Sequence, residues 1–210
     1  MAKKYEVNST EGEFQAGSDS KVLKNLLGIT TEAEINEVES ILLVQLYQHL
    51  FDETQPQLNS LTVADINEWH RKWLGNIYEW AGTARSVNMR KGSFDFASAR
   101  QISNLLDHFE KSLLSKFDDL SNTSEESLIH FLAKVHVEFI LIHPFREGNG
   151  RIARLLLDVI ADKTGFALLN YDLWDENKAF YFKAIQAGVA GDYQHMERLI
   201  SDVLTLKSAS

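Results

Sequence analysis

The 210-residue chain contains no cysteine and only two prolines. Without cysteine it can form no disulfide and no thiolate metal site, which fits a reducing cytoplasm, the expected location. No apolar run reaches the roughly 18 residues that a membrane span requires, so no membrane partner is expected. The opening Met1-Ala2-Lys3-Lys4-Tyr5-Glu6 lacks the apolar stretch of a secretory signal. Basic residues are scarce as well. Lys and Arg number 21 against 30 Asp and Glu, a net charge of −9, which argues against direct nucleic-acid binding. There is no repeat, low-complexity tract or internal linker. What the chain does have is 44% hydrophobic residues, enough for a sizeable core. They are spread along it, so we expect a polar N-terminal arm over residues 1–20 and one domain over 21–206.

The most chemically loaded run is His143-Pro144-Phe145-Arg146-Glu147-Gly148-Asn149-Gly150-Arg151-Ile152-Ala153-Arg154. It lies between the two most apolar segments. Phe131, Leu132, Val135, Val137, Phe139, Ile140, Leu141 and Ile142 cover nearly every face of a helix, so that helix is read as buried. Pro144 has no N–H and disfavours the α region for His143, which predicts a helix end there. Ile152, Leu155, Leu156, Val159 and Ile160 then recur at helical spacing from about Arg151.

Gly148-Asn149-Gly150 thus opens onto a helix N-terminus. Unpaired N–H groups and the positive end of the dipole make such a place receptive to anions. Arg151 and Arg154 stand three apart, on one face of the first turn. Cations are mildly unfavourable there, so the pair points to a multiply charged anion between them. Glu147 is the carboxylate of the cluster, and a carboxylate beside phosphates suits Mg²⁺. His143 is the candidate proton acceptor. Taken singly, each feature is a turn, a structural histidine or a surface ion pair. Their joint occurrence between two buried helices is hard to explain as a turn.

The run resembles the signature of the Fic (filamentation induced by cAMP) family, His-x-Phe-x-(Asp/Glu)-Gly-Asn-Gly-Arg-x-x-Arg, and matches at every specified position. The resemblance extends over about residues 20–205. It implies AMP transfer from ATP to a protein hydroxyl with Mg²⁺. It further implies that His143 deprotonates the hydroxyl, Phe145 anchors the loop in the core and Glu147 holds the metal. Gly148, Asn149 and Gly150 would cradle phosphate oxygens. Arg151 and Arg154 would hold the outer phosphates, with Arg154 at the γ-phosphate. Doc relatives carry Lys where this chain has Gly150 and resemble kinases, so Gly150 favours AMP transfer over phosphorylation.

Self-inhibited relatives carry (Ser/Thr)-x-x-x-Glu-(Gly/Asn), whose Glu pairs with the second Arg. Here the Glu-Gly and Glu-Asn pairs begin at Glu11, Glu147 and Glu176, and the residues four before them are Val7, His143 and Asp172. None fits. A separate antitoxin-like protein supplying that Glu is therefore the expected inhibitor, if the chain is restrained at all, and a toxin role follows as an extension.

Elsewhere the periodicity predicts a short helix over Lys21–Gly28 and a capped helix from Thr31 to about Phe51. Gln55-Pro56-Gln57 reads as a turn. A further helix runs from the Thr62-x-x-Asp65 cap to about Trp80, with Ile66, Trp69, Trp73, Ile77 and Trp80 as its core-facing stripe. Residues 82–96 alternate and contain a Lys-Gly turn, the one hairpin candidate. The stretch resembles the Fic flap, which docks a target segment by strand pairing. Lys91 at its turn is a candidate nucleotide contact. Helices are also expected over Ser98–Phe117, from a Thr123 cap into the signature, around Phe180–Ile185 and over Asp192–Leu206. Asn177 and Tyr181 are candidates for lining the base, while His130 and His136 read as structural. The resulting fold class is all-α, a Fic-type domain of about eight helices with a small β-hairpin flap. The alternatives to a protein adenylyltransferase are a nucleotide hydrolase or de-AMPylase, and a nucleotide-binding interaction module.

Overall fold

The computed structural model describes residues 10–52, 54 and 58–205. Among these, eight α-helices and one two-stranded hairpin are present. The Gln55–Gln57 turn and the far end of the last expected helix lie outside the described residues. No helix among the described residues is long and apolar enough to cross a membrane. The chain divides into two compact units: Met1–Pro56, Ala64–Ser103 and Pro144–Gly148 in the first, Gln57–Val63, Asn104–His143 and Asn149–Ser210 in the second.

In unit one, helix α1 (Glu32–Leu50) starts where the sequence predicts. Thr31 is its N-cap, and its hydroxyl accepts from the Glu34 N–H at 3.3 Å. Helix α2 (Val63–Leu74) stops at Leu74, short of the expected Trp80. Gly75 follows, and the Ile77 and Tyr78 N–H groups both bond back to the Leu74 carbonyl. The chain thus turns while Ile77 and Trp80 stay buried, so the apolar spacing outlasts the helix that it mimics. Trp73 is fully buried, with its indole N–H donating to the Glu39 carbonyl at 2.8 Å. The Tyr78 hydroxyl donates to the Glu39 carboxylate, which gives that buried charge a partner.

The expected helix over Lys21–Gly28 is absent. Leu23 bridges Phe14 in antiparallel fashion, and the Leu26 N–H bonds to the Ile77 carbonyl. The Asn25 amide donates to the Leu23 and Ile29 carbonyls and accepts from the Ile29 N–H. Side-chain bonds of this kind compete with a helix. Among the described residues, the segment expected as a polar N-terminal arm is built into this unit from Thr10 onward. It starts with a 3₁₀ turn at Thr10–Gly12, and the Glu11 carboxylate accepts from the Ser86 N–H and hydroxyl. The hairpin is shorter than the alternation implied: β1 (Arg90–Lys91) pairs with β2 (Phe94–Asp95), Lys91 opposite Phe94, across Gly92 at φ 60°.

Unit two is organised on α4 (Glu125–Ile142) and α5 (Asn149–Lys163). Leu132, Val135, Val137 and Phe139 of α4 and Ile152, Leu155, Leu156 and Ile160 of α5 are fully buried. Each such side chain contributes about 1.5–3 kcal/mol. The α4 cap is Ser124, one residue past the expected Thr123, and its hydroxyl accepts from the Ser127 N–H. Helix α3 (Ile102–Ser112) breaks at Leu113, inside the expected Ser98–Phe117 helix, and Leu114–Asn122 continues as 3₁₀ helix. Gly165, at φ 85°, follows the end of α5. Helices α6 (Asp172–Glu176), α7 (Lys178–Ala187) and α8 (Gln194–Ser201) complete the unit. Gly188 packs on α4 so closely that a Cβ there would lie 2.1 Å from Val137 Cγ1.

Candidate active site

The signature residues fall in both units. In unit two, α4 ends at Ile142, as Pro144 predicts, and His143 is its C-cap. Its backbone is left-handed, φ 51° and ψ 60°, where the proline rule favours the extended region. The cap lets the His143 N–H reach the Phe139 carbonyl at 2.9 Å. A left-handed non-glycine residue costs about 1–2 kcal/mol, and such strain gathers at functional positions. His143 Nδ1 lies 3.3 Å from the Ile140 carbonyl. A carbonyl only accepts, so Nδ1 carries the proton and the basic lone pair falls on Nε2.

Helix α5 begins at Asn149, two residues before the expected start, so Asn149 and Gly150 themselves form its N-terminus. Asn149 is buried and Gly150 exposed, with nothing within 4 Å of an added Cβ at Gly150. A helix N-terminus is the kind of place that receives anions. Arg151 and Arg154, both half-buried, share the first turns. Arg154 is engaged within the unit: Nη1 and Nη2 donate to the two Asp175 oxygens at 2.9 and 2.7 Å. Its guanidinium lies over the Tyr171 ring, 4.9 Å from the centroid. Burial opposes the Arg154 charge, but the Asp175 hydrogen bonds and charge outweigh it and raise its basicity. Those same bonds hold the Asp175 carboxyl below the usual carboxylate range.

The base-lining candidates Tyr181 and Asn177 also lie in unit two. The Tyr181 hydroxyl shares a hydrogen bond with His136 Nε2 at 2.8 Å, and its ring stacks on Trp174. Burial pushes the Tyr181 phenol upward. His136 is structural, as read from sequence, and burial pushes its pKa down to about 3. Asn177 is exposed after α6, with its amide donating to the Leu173 carbonyl. His130 is exposed and pairs with Glu197 at 2.6 Å.

In unit one, Phe145 is fully buried, as its anchoring role requires. Its ring stacks on the His70 imidazole, with centroids 3.9 Å apart and planes 12° from parallel. Glu147 is half-buried, and its Oε1 accepts from the Gly148 N–H at 2.8 Å. Gly148 has φ 79°, and a Cβ there would lie 2.5 Å from Trp73 Cζ3, so glycine is required on two counts. Arg146 Nε donates to the Glu11 carbonyl. The Arg85 N–H donates to the Pro144 carbonyl at 2.7 Å, and its buried guanidinium bonds the Val87 and Ala97 carbonyls at the base of the hairpin. Lys91 is exposed on β1, one residue before the Gly92 turn.

Among the described residues no group of three or more His, Cys, Asp or Glu could hold a metal ion on its own. Glu147 fits Mg²⁺ in another way, because Mg²⁺ is commonly held by one or two carboxylates together with substrate phosphates. Sequence reasoning missed His70, Arg85, Glu11, Tyr171 and Asp175. His70 carried a faint signal, a histidine inside an aromatic stripe. The others carried none.

Comparison with known proteins agrees with the signature. The Fic/DOC family model matches residues 60–161. Protein adenylyltransferase Fic of Nematostella vectensis is 25% identical over 199 residues, 94% of this chain and 45% of that protein. Protein adenylyltransferase VbhT of Bartonella schoenbuchensis is 29% identical over 149 residues, 70% of this chain and 30% of that protein. The chain therefore spans less than half the length of these two relatives. The fold is that of BepC, a VirB-translocated effector from Bartonella tribocorum crystallised with AMPPNP. BepC is 22% identical, with a TM-score of 0.79 over 96% of this chain and 100% of that one. The complete signature, together with the family model that matches residues 60–161, identifies that stretch as a Fic/DOC domain.

Proposed function

We propose that the chain is a Mg²⁺-dependent protein adenylyltransferase that moves AMP from ATP to a Tyr, Thr or Ser hydroxyl of a target protein. The observation that carries this reading is His143, a strained left-handed cap whose Nδ1 proton is directed at the Ile140 carbonyl. That arrangement suits Nε2 to act as a general base, a role worth about 10²–10⁴-fold. Nε2 takes the proton of the target hydroxyl as its oxygen attacks the α-phosphorus. The bond from that phosphorus to the bridging oxygen breaks, and pyrophosphate leaves.

Backbone N–H groups at Asn149 and Gly150 would bind phosphate oxygens, and Arg151 and Arg154 would add charge, Arg154 at the γ-phosphate. For Arg154 this means exchanging Asp175 for phosphate. Glu147 would hold Mg²⁺, which when bound neutralises charge developing on the phosphates. The AMPPNP bound to BepC supports ATP as the co-substrate. Lys91 and the β1–β2 edge would meet the target, which docks by adding a strand. The proposal includes action in the cytoplasm, and an antitoxin-like partner that supplies the missing inhibitory glutamate to a toxin.

Pyrophosphate release tests the reaction class. Release from ATP that depends on added protein acceptor, with AMP appearing on that acceptor, is the expected result. Release of pyrophosphate together with free AMP, without acceptor and without self-modification, would mean hydrolysis instead.

A further inference from the structure

His70 lies outside the signature yet touches it twice. It sits in α2, fully buried, with its ring stacked on Phe145. Its Nδ1 accepts from the Gly82 N–H at 2.8 Å. Nδ1 therefore carries no proton, so Nε2 does, and that N–H donates to the Glu147 carbonyl at 3.1 Å. The approach of Gly82 is itself specified. At φ 78° its missing Cβ would lie 2.7 Å from Arg71 Cβ and 2.9 Å from the Asn67 carbonyl oxygen, so a side chain there would push the donor away. One turn further along α2, Trp73 walls Gly148. Helix α2 thus templates three loop residues: His70 for Phe145 and Glu147, Trp73 for Gly148.

We propose that His70 is a positioning residue for Glu147. Its neutral Nε2–H tautomer, selected by the Gly82 N–H, fixes the Glu147 peptide and so the direction from which the Glu147 carboxylate meets the metal ion. This rests on the proposed role of Glu147 as the metal ligand. The chemistry is that of the outer hydrogen bonds that orient metal-binding side chains, whose loss typically costs about 10- to 100-fold in metal affinity. A polar role can be separated from a packing role. His70→Phe keeps the ring against Phe145 and removes both hydrogen bonds. His70→Gln keeps an acceptor and a donor and removes the ring.

The experiment is calorimetric titration of ATP into folded protein, with Mg²⁺ and with EDTA, for wild type, His70→Phe, His70→Gln and Glu147→Gln. Glu147→Gln should lose the Mg²⁺-dependent gain in affinity. His70→Phe should lose about 10- to 100-fold of it, with binding in EDTA unchanged, and His70→Gln should retain it. A full gain in His70→Phe, or a loss in His70→Gln equal to that in His70→Phe, overturns the inference. A full gain in Glu147→Gln overturns the metal reading beneath it. Should His70→Phe fail to fold, ¹⁵N spectra of the wild-type imidazole decide the tautomer. A protonated Nε2 with a bare Nδ1 supports the inference, and the opposite tautomer or a charged ring overturns it.

Discussion

Replacing Gly148 by alanine should unsettle the loop more than its one added methyl group implies. Two costs add. At φ 79° an alanine sits in the left-handed region, at about 1–2 kcal/mol. Its Cβ would also lie 2.5 Å from Trp73 Cζ3 and 2.9 Å from Cη2. Trp73 cannot swing aside, because it is fully buried and its indole N–H is bonded to the Glu39 carbonyl. Overpacking a site of this kind costs about 1–3 kcal/mol. The sum is about 2–5 kcal/mol, and at about 2–4 °C per kcal/mol for a chain of this size the melting temperature should fall by roughly 4–20 °C. Gly150→Ala is the control. Its Cβ meets nothing within 4 Å, and alanine in an α-helix is better than glycine by up to about 1 kcal/mol. Differential scanning calorimetry of both variants reads the contrast. Equal melting temperatures for wild type and Gly148→Ala would refute the packing account of the loop.

Two further outcomes follow from unit two. His136 is held neutral down to about pH 3, whereas an unfolded histidine protonates below about 6.5, so unfolding takes up a proton between those values. Acid therefore favours the unfolded chain by up to about 1.4 kcal/mol per pH unit in that window, and the effect vanishes above it. Urea unfolding from pH 4 to 7 should show this slope lessened in His136→Gln, and parallel profiles would refute it. Arg154→Ala should weaken ATP binding by about 10- to 100-fold, the worth of a charged hydrogen bond, and leave AMP binding unchanged. Asp175→Asn should tighten ATP binding, because the carboxylate competes for the same N–H groups. Unchanged ATP affinity in Arg154→Ala would remove it from the γ-phosphate site.

How much of this was legible in the sequence depended on where each residue finds its partners. The signature could be read because His143 to Arg154 are contiguous and their neighbours are helices with unbroken apolar spacing. The α1 cap could be read because Thr31 and Glu34 satisfy each other locally. The end of α2 could not, since Ile77 and Trp80 keep helical spacing while the backbone turns at Gly75. Residues 21–28 looked helical, but their bonds go to Glu13, Gln15 and Ile77. The support of the loop was least visible. His70 reaches Glu147, Arg146 reaches Glu11 and Arg154 reaches Asp175, and no local pattern announces pairs so far apart in the chain. Sequence thus disclosed the signature, and the structure disclosed what holds it in place.

The most direct test of the central claim is to incubate the pure protein with Mg²⁺ and α-labelled ATP in a cell lysate, beside His143→Ala. The account predicts a labelled protein band with the intact chain and none with His143→Ala, while calorimetry shows ATP still binding to the variant. Equal labelling by both proteins would contradict it, and so would label transferred from γ-labelled but not from α-labelled ATP.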